Sequence, residues 1–383
     1  MKNARLILAL VATLALGGCS WVTQWLWPRT QESLKEPELL KTPKIVSGSD
    51  VFRRVVFYEE PAEALGVVTD LRLDWPYEPG KKALAVVGRG GARFLGEDRK
   101  VKLRVDFEPR PHSSMELVRL NANGEYGYLN RGQSGAADVM LFNASGKLLW
   151  AYKGPSAVVD SAAGDVNGDG KAEVVVGFIG DGGIHLVSLE GKKIWRQEGG
   201  NIWHVEMMDA NGNGRCTILH SGGDWDARMT LRDETGRILM KHGRRDWPWV
   251  SDFALTRWGN EPNADKIVIP DDGRIHVYRA TGAKVAILDA PGLSQYGKLH
   301  MTPLKILASS TYYASVLDYA IWDRAALIIH DEKGGVVYEE IMADSCVAVA
   351  ALPGAKGETL LVGCAGKVWE YSLSTETKKH IRH

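Results

Sequence analysis

Beyond residue 50 the chain alternates apolar and polar residues in short runs broken by tight turns. In RMTLRDETGRILM (228–240) the apolar positions alternate before a polar turn ending in glycine, and a second apolar run follows it. A period of two puts successive side chains on opposite faces of an extended segment, so each such stretch predicts two half-buried strands joined as a hairpin. The same grammar recurs in DVMLFNASGKLLW (138–150), GIHLVSLEGKKIW (183–195) and RIHVYRATGAKVAIL (274–288). Weaker copies are RFLGEDRKVKLRV (93–105), ALIIHDEKGGVVY (326–338) and KVWEYSLSTETKKHI (367–381). The turn glycines Gly146, Gly191, Gly236 and Gly282 are 45, 45 and 46 residues apart.

Seven hairpins at this spacing leave room for two further strands each. Four short strands per unit of about 45 residues is the radial repeat of a β-propeller. The expectation is an all-β propeller of four-stranded blades, seven in number. Six or eight remain open, because 289–325 is irregular and VFRRVVFY (51–58) is a strand without a blade. That early strand can close the ring beside the last blade. No long segment after residue 40 shows helical periodicity, and forty-two glycines suit many tight turns.

One loop carries candidate chemistry. GDVNGDGKAEVVVG (164–177) sets Asp165, Asn167, Asp169 and Glu173 at positions 1, 3, 5 and 9, with Gly168 and Gly170 between them. Hard oxygen donors at alternate positions can converge on calcium, and the glycines allow the tight backbone. An EF-hand needs a carboxylate at position 12 between helices; here that position is Val176, inside a β-branched run. A loop joining two strands resembles instead the FG-GAP (VCBS) repeat of integrin-α-like β-propellers, whereas a metal-free turn of Asx residues is the plainer reading. The resemblance implies one calcium held by Asp165, Asn167, Asp169 and Glu173, completed by the Lys171 carbonyl. Asp209, Asn211 and Asn213 repeat the pattern 44 residues later with one carboxylate, implying weak binding or none. The loop at Asn121 and Asn123, 44 residues earlier, has Leu129 at position 9 and is expected to be empty. The hairpins ending in Trp150 and Trp195 also resemble PQQ-like propeller repeats.

The N-terminus, MKNARLILALVATLALGGCS, has two basic residues and then an apolar stretch too short to span a bilayer, as in a signal peptide. Leu16-Gly17-Gly18-Cys19 resembles a bacterial lipobox. This implies cleavage after residue 18, acylation at Cys19 and, with Ser20 following, anchoring in the outer membrane; which side the body faces stays open. Residues 19–50 are expected to form the lipidated N-terminus and tether, with Trp21, Trp25 and Trp27 near the lipid. Residues 51–383 are expected to form the propeller. Lysine plus arginine equals aspartate plus glutamate at 47 each, so a nucleic-acid partner is not expected.

Five residues before each loop start stand Glu116, Asp160 and His204, again 44 apart, with Asp70 and Asp252 at the same place by looser alignment. These positions fall in each unit's first, innermost strand. They either ring a channel ligand or bond backbone amides of neighbouring blades. Trp203, Trp225, Arg244, Arg245, Trp247 and Trp249 concentrate in loops at one end and form a candidate binding face, packing between blades being the alternative. Cys346 and Cys364 flank a turn so that antiparallel pairing brings them together as a disulfide, unless the register slips. No nucleophile elbow, zinc-protease helix motif or phosphate-cradling loop is present. The expected function is a lipid-anchored envelope module that binds or scaffolds a protein or saccharide. A polysaccharide-active enzyme and a structural subunit of an outer-membrane assembly complex are the alternatives.

Overall fold

The computed structural model describes residues 36–374, apart from 79, 111–113, 132–137, 224–226, 244–246, 260, 295–296, 308–309 and 355–356. Two strands come first, β1 (Lys44–Ser47) and β2 (Phe52–Glu59). Blade 1 holds β3 (Val68–Glu78), β4 (Lys81–Gly88), β5 (Gly91–Leu95) and β6 (Val101–Asp106). Blade 2 holds β7 (Met115–Arg119), β8 (Tyr126–Asn130), β9 (Asp138–Asn143) and β10 (Leu148–Lys153). Blade 3 holds β11 (Val158–Gly164), β12 (Glu173–Phe178), β13 (Ile184–Val187) and β14 (Lys193–Gln197). Blade 4 holds β15 (Ile202–Met208), β16 (Thr217–Gly222), β17 (Ala227–Arg232) and β18 (Ile238–Gly243). Blade 5 holds β19 (Ala254–Trp258), β20 (Glu261–Asp271), β21 (Arg274–Tyr278) and β22 (Lys284–Asp289). Blade 6 holds β23 (Lys298–Leu307), β24 (Ser310–Tyr319), β25 (Arg324–His330) and β26 (Val336–Met342). Blade 7 holds β27 (Cys346–Leu352), β28 (Thr359–Cys364) and β29 (Lys367–Leu373).

Every blade is antiparallel and blades 1 to 6 are meanders of consecutive strands, so the fold is an all-β propeller of seven four-stranded blades. Six of the expected hairpins are the outer two strands of blades 1 to 6. The seventh differs. β29 is present, but its outer neighbour is β2, with Phe52 opposite Leu373. The expected return strand after residue 373 is therefore not the partner of β29, and residues 375–383 lie outside the described residues. The irregular stretch 289–325 contains the long pair β23 and β24. β1 adds a fifth strand at the outer edge of β26.

The chain divides into two compact units, one with blades 2, 3 and 4 and the other with blades 1, 5, 6 and 7. In the first, β12 shows why its sequence is a continuous Val-Val-Val run. Val174 and Val176 pack with Val139 and Leu141 of blade 2, while Val175 packs with Val205 and Ile218 of blade 4. A strand buried on both faces has no polar side to alternate with. Each of these valines contributes about 1.5–3 kcal/mol by burial. The outer strand β10 instead alternates half-buried and exposed residues. In the second unit, Leu40, from a short helical turn at Glu38–Lys41, is fully buried with Val277, Leu288 and Ile341 of blades 5 and 6. Leu40 thus belongs to the core although it lies in the stretch expected as tether.

An aromatic lock joins successive blades of the first unit. The Trp150 indole donates to the Leu189 carbonyl at 2.7 Å, and Trp195 repeats this 45 residues on with the Glu234 carbonyl, also at 2.7 Å. Each ring lies on the turn glycine of the next blade. A Cβ on Gly191, at φ +79°, would sit 2.9 Å from the Trp150 ring. Glycine is needed there twice over, for the left-handed backbone and for the close approach of the ring.

Candidate functional site

Glu116, Asp160 and His204 stand in the first strands β7, β11 and β15, at the same level of three successive blades. What joins them is Arg131, the residue after β8. Its guanidinium lies 3.3 Å from Glu116, 3.3 Å from Asp160 and 2.7 Å from Glu206, and donates to the Val205 carbonyl at 3.2 Å. The Asp160 carboxylate also accepts the Val205 amide at 3.1 Å and contacts the Nδ1 atom of His204. His204 Nε2 is 3.5 Å from Glu206. Arg131 and Glu206 are each only 19% exposed at the side chain, and Asp160 7%.

Charge follows from this geometry. Burial by itself would raise the Glu206 carboxyl, but Arg131 and His204 beside it outweigh that and hold it at about 2. The three carboxylates in turn push the Arg131 guanidinium well above its usual value, against the opposing effect of burial. One cation therefore serves three anions, one from each of three blades.

In the second unit the two remaining positions do other work. Asp70 pairs with Arg72 two residues along the same strand, at 3.0 Å. Asp252 accepts the amide of Leu299, the second residue of β23, at 2.9 Å. The contacts of Asp160 and Asp252 with amides of the following blade match the bracing alternative. Arg131 and Glu206 carried no repeat signal. Glu206 was nevertheless findable, because it lies two residues after His204 and so on the same face of the strand.

In the loop after β11 both Asp165 oxygens accept amides, Oδ1 from Gly168 at 2.6 Å and Oδ2 from Gly170 at 2.8 Å. Asn167 and Asp169 accept the amides two residues on. Gly168 and Gly170 both have φ near +80°. Glu173 is buried and accepts the Val166 amide at 3.1 Å and the Asn167 side-chain amide at 2.8 Å. Burial raises its carboxyl, and the neighbouring Asp169 and Asp165 raise it further. Among the described residues no group of three or more His, Cys, Asp or Glu side chains is already arranged as a metal site. The donors still suit calcium in type, since all are hard oxygens and the crowded negative charge at Glu173 is what a cation relieves. The loop also meets the preceding blade: Ala172 donates to Leu120 and Ala122 to Gly170, a bridge that leaves the Lys171 carbonyl out. Asp209 accepts the Asn213 amide, closing its own loop.

Of the candidate face, Trp225, Arg244 and Arg245 lie outside the described residues. Trp247 is buried and stacked on His242 with ring centres 4.5 Å apart. Trp203 lies so close to Gly222 that a Cβ there would be 2.5 Å from its indole. Trp249 is half-buried beneath the Arg228 guanidinium. The rings of Trp203 and Trp247 are thus engaged in packing. Cys346 and Cys364 face each other across β27 and β28 and form a disulfide. Cys216 lies outside this disulfide and is partly buried.

No family model and no curated protein sequence matches this chain. Solved structures do. BBS1N, crystallised in complex with ARL6DN and soaked with mercury, superposes with a TM-score of 0.54 at 13% identity, covering 85% of this chain and 98% of that one. The Neurospora crassa Pan2 WD40 domain superposes with a TM-score of 0.50 at 13% identity, covering 85% of this chain and 96% of that one. At this identity the likeness is one of fold.

Proposed function

We propose that this chain is a lipid-anchored envelope β-propeller that works as a binding or scaffold module, with calcium as a structural ion. The observation carrying the scaffold reading is the Arg131 network. Glu116, Asp160 and Glu206, on the first strands of blades 2 to 4, are engaged by Arg131, which braces the blades and leaves recognition to outward surfaces. The BBS1N structure, in complex with ARL6DN, is one case of this fold carrying a protein partner. The anchor rests on Leu16-Gly17-Gly18-Cys19. For calcium, Asp165, Asn167, Asp169 and Glu173 supply side-chain oxygens and Lys171 its carbonyl.

Crosslinking in the native envelope, followed by identification of captured proteins, tests the scaffold reading. A reproducible partner is expected, and its capture should depend on anchoring through Cys19. Turnover of an envelope polysaccharide by the purified protein, with no partner captured, would overturn it. Calcium titration by calorimetry should show a single weak site that Asp165→Ala abolishes; heat that persists in that variant rules the loop out.

A further inference from the structure

The outer strands of blades 2, 3 and 4 repeat a pattern that neither the core nor the Arg131 network uses. Leu149, Ile194 and Leu239 occupy equivalent positions, each 45 residues from the last, and are 50%, 50% and 45% exposed. Two residues before them stand Lys147, Lys192 and Arg237, all exposed. Arg237 is paired with Asp233, and Arg196 with Glu198. Among the described residues Lys147, Lys192 and Lys193 have no carboxylate within ion-pair distance, so β14 and its approach present two uncommitted cations beside an exposed aliphatic. Among the described residues each of β10, β14 and β18 is the last strand of its sheet and pairs on one side only.

The molecule itself shows how such an edge is filled. β26 is also a last strand of its meander, and it takes β1 as a fifth strand. β26 is acidic, with Glu339 and Glu340; β1 reads Lys-Ile-Val-Ser. Ile45 lies opposite Glu340, and the Lys44 charge acts on Glu339. The β26 edge has thus accepted a basic–aliphatic strand by backbone pairing, with Lys44 favouring the charge on Glu339 while Glu340 is engaged by Arg54, Tyr338 and Tyr371.

We propose that β14, flanked by β10 and β18, is the complementary case: a basic–aliphatic edge that accepts an extended acidic–aliphatic strand from a partner protein. Glutamates of the incoming strand meet Lys192 and Lys193, and its aliphatic residues cover Ile194. The proposal deepens the scaffold reading and rests on it, by naming the chemistry of the partner.

The probe is a fluorescent peptide of about ten residues alternating Glu and Val, long enough for one strand, titrated onto the protein by anisotropy at low salt. Saturable binding is expected, with slowed hydrogen exchange at β14 amides. Lys192→Glu with Lys193→Glu should weaken binding at least tenfold while leaving the melting temperature in place, and should create binding of the matching Lys–Val peptide. No binding at about 1 mM peptide, or binding indifferent to the charge reversal, overturns the proposal. So does recruitment of the wild type, and not the reversed variant, to phosphatidylglycerol vesicles without peptide binding, which makes the edge a lipid contact. Failure here leaves the crosslinking result standing, because that experiment does not presuppose which surface is used.

Discussion

Replacing Arg131 with methionine keeps most of the side-chain volume and removes a cation that contacts Glu116, Asp160 and Glu206 together. Removing one partner from a buried ion pair typically costs about 3–5 kcal/mol, because the charges left behind stay desolvated. The guanidinium is 19% exposed, which favours the lower end, near 3 kcal/mol at pH 7.5. Glu206 follows the same sign, since Arg131 and His204 together hold its carboxyl below the ordinary glutamate range against the opposing effect of burial. The sign predicts the pH dependence. In the wild type the depressed Glu206 stabilises the fold above about pH 4.5 and loses that contribution as pH falls toward 2. Without Arg131 the same carboxyl, buried beside two others, should bind protons more readily than in the unfolded chain. Acidification then relieves the variant. Urea unfolding at pH 7.5 and pH 5 should therefore show a large loss at the first and a smaller one at the second, with Arg131→Lys between wild type and Arg131→Met. A loss under about 1 kcal/mol, or an equal loss at both pH values, would refute the reasoning.

Other perturbations read separate parts of the fold. Gly191→Ala meets both a left-handed backbone and the Trp150 ring, whereas Gly180→Ala, at φ +63° with nothing within 4 Å, meets only the first. Thermal melts should show Gly180→Ala costing about 1 kcal/mol and Gly191→Ala about 1–3 kcal/mol more; equal losses would remove the ring contact from the account. Asp318 is buried, which lifts its carboxyl to about 7 although the Ser345 hydroxyl donates to it. Because this shift is upward, the contribution grows as pH falls from about 7 toward 4. Asp318→Asn should be less pH-dependent in that window, by on the order of 2–4 kcal/mol, when unfolding is followed from pH 4.5 to 8. Replacing both Cys346 and Cys364 by alanine opens an 18-residue span and should cost about 3 kcal/mol; reductant should lower the wild-type melting temperature and leave the variant's unchanged.

What the sequence revealed and what it hid divide along a physical line. Hairpins were legible where alternation and a turn glycine lie within fifteen residues of each other, as around Gly191 and Gly236. The Cys346–Cys364 pair was legible too, since counting outward from one turn sets the register. At blade 7 the hairpin expected after β29 does not supply its outer partner; β2 does, as the strand without a blade at 51–58 allowed, although no local pattern fixes so remote a pairing. At the site, the 44-residue register identified Glu116, Asp160 and His204 but not Arg131, which occurs in one blade only. The tryptophan locks were missed for a different reason. Both members repeat every 45 residues, Trp150 with Trp195 and Gly191 with Gly236, but the glycines already had an explanation as turn residues.

The pairing of β2 with β29 makes the fold a check on the completeness of its own synthesis. β2 leaves the ribosome early and has no neighbour until the last strand arrives, and in the finished sheet Arg54 of β2 also pairs with Glu340 of β26. A chain that stops short of Lys367 leaves β2 bare and β28 with an open edge, two adhesive surfaces of the kind that aggregate or attract proteases. A copy terminated before β29 thus advertises its defect, and a chain that includes β29 conceals both edges in one sheet.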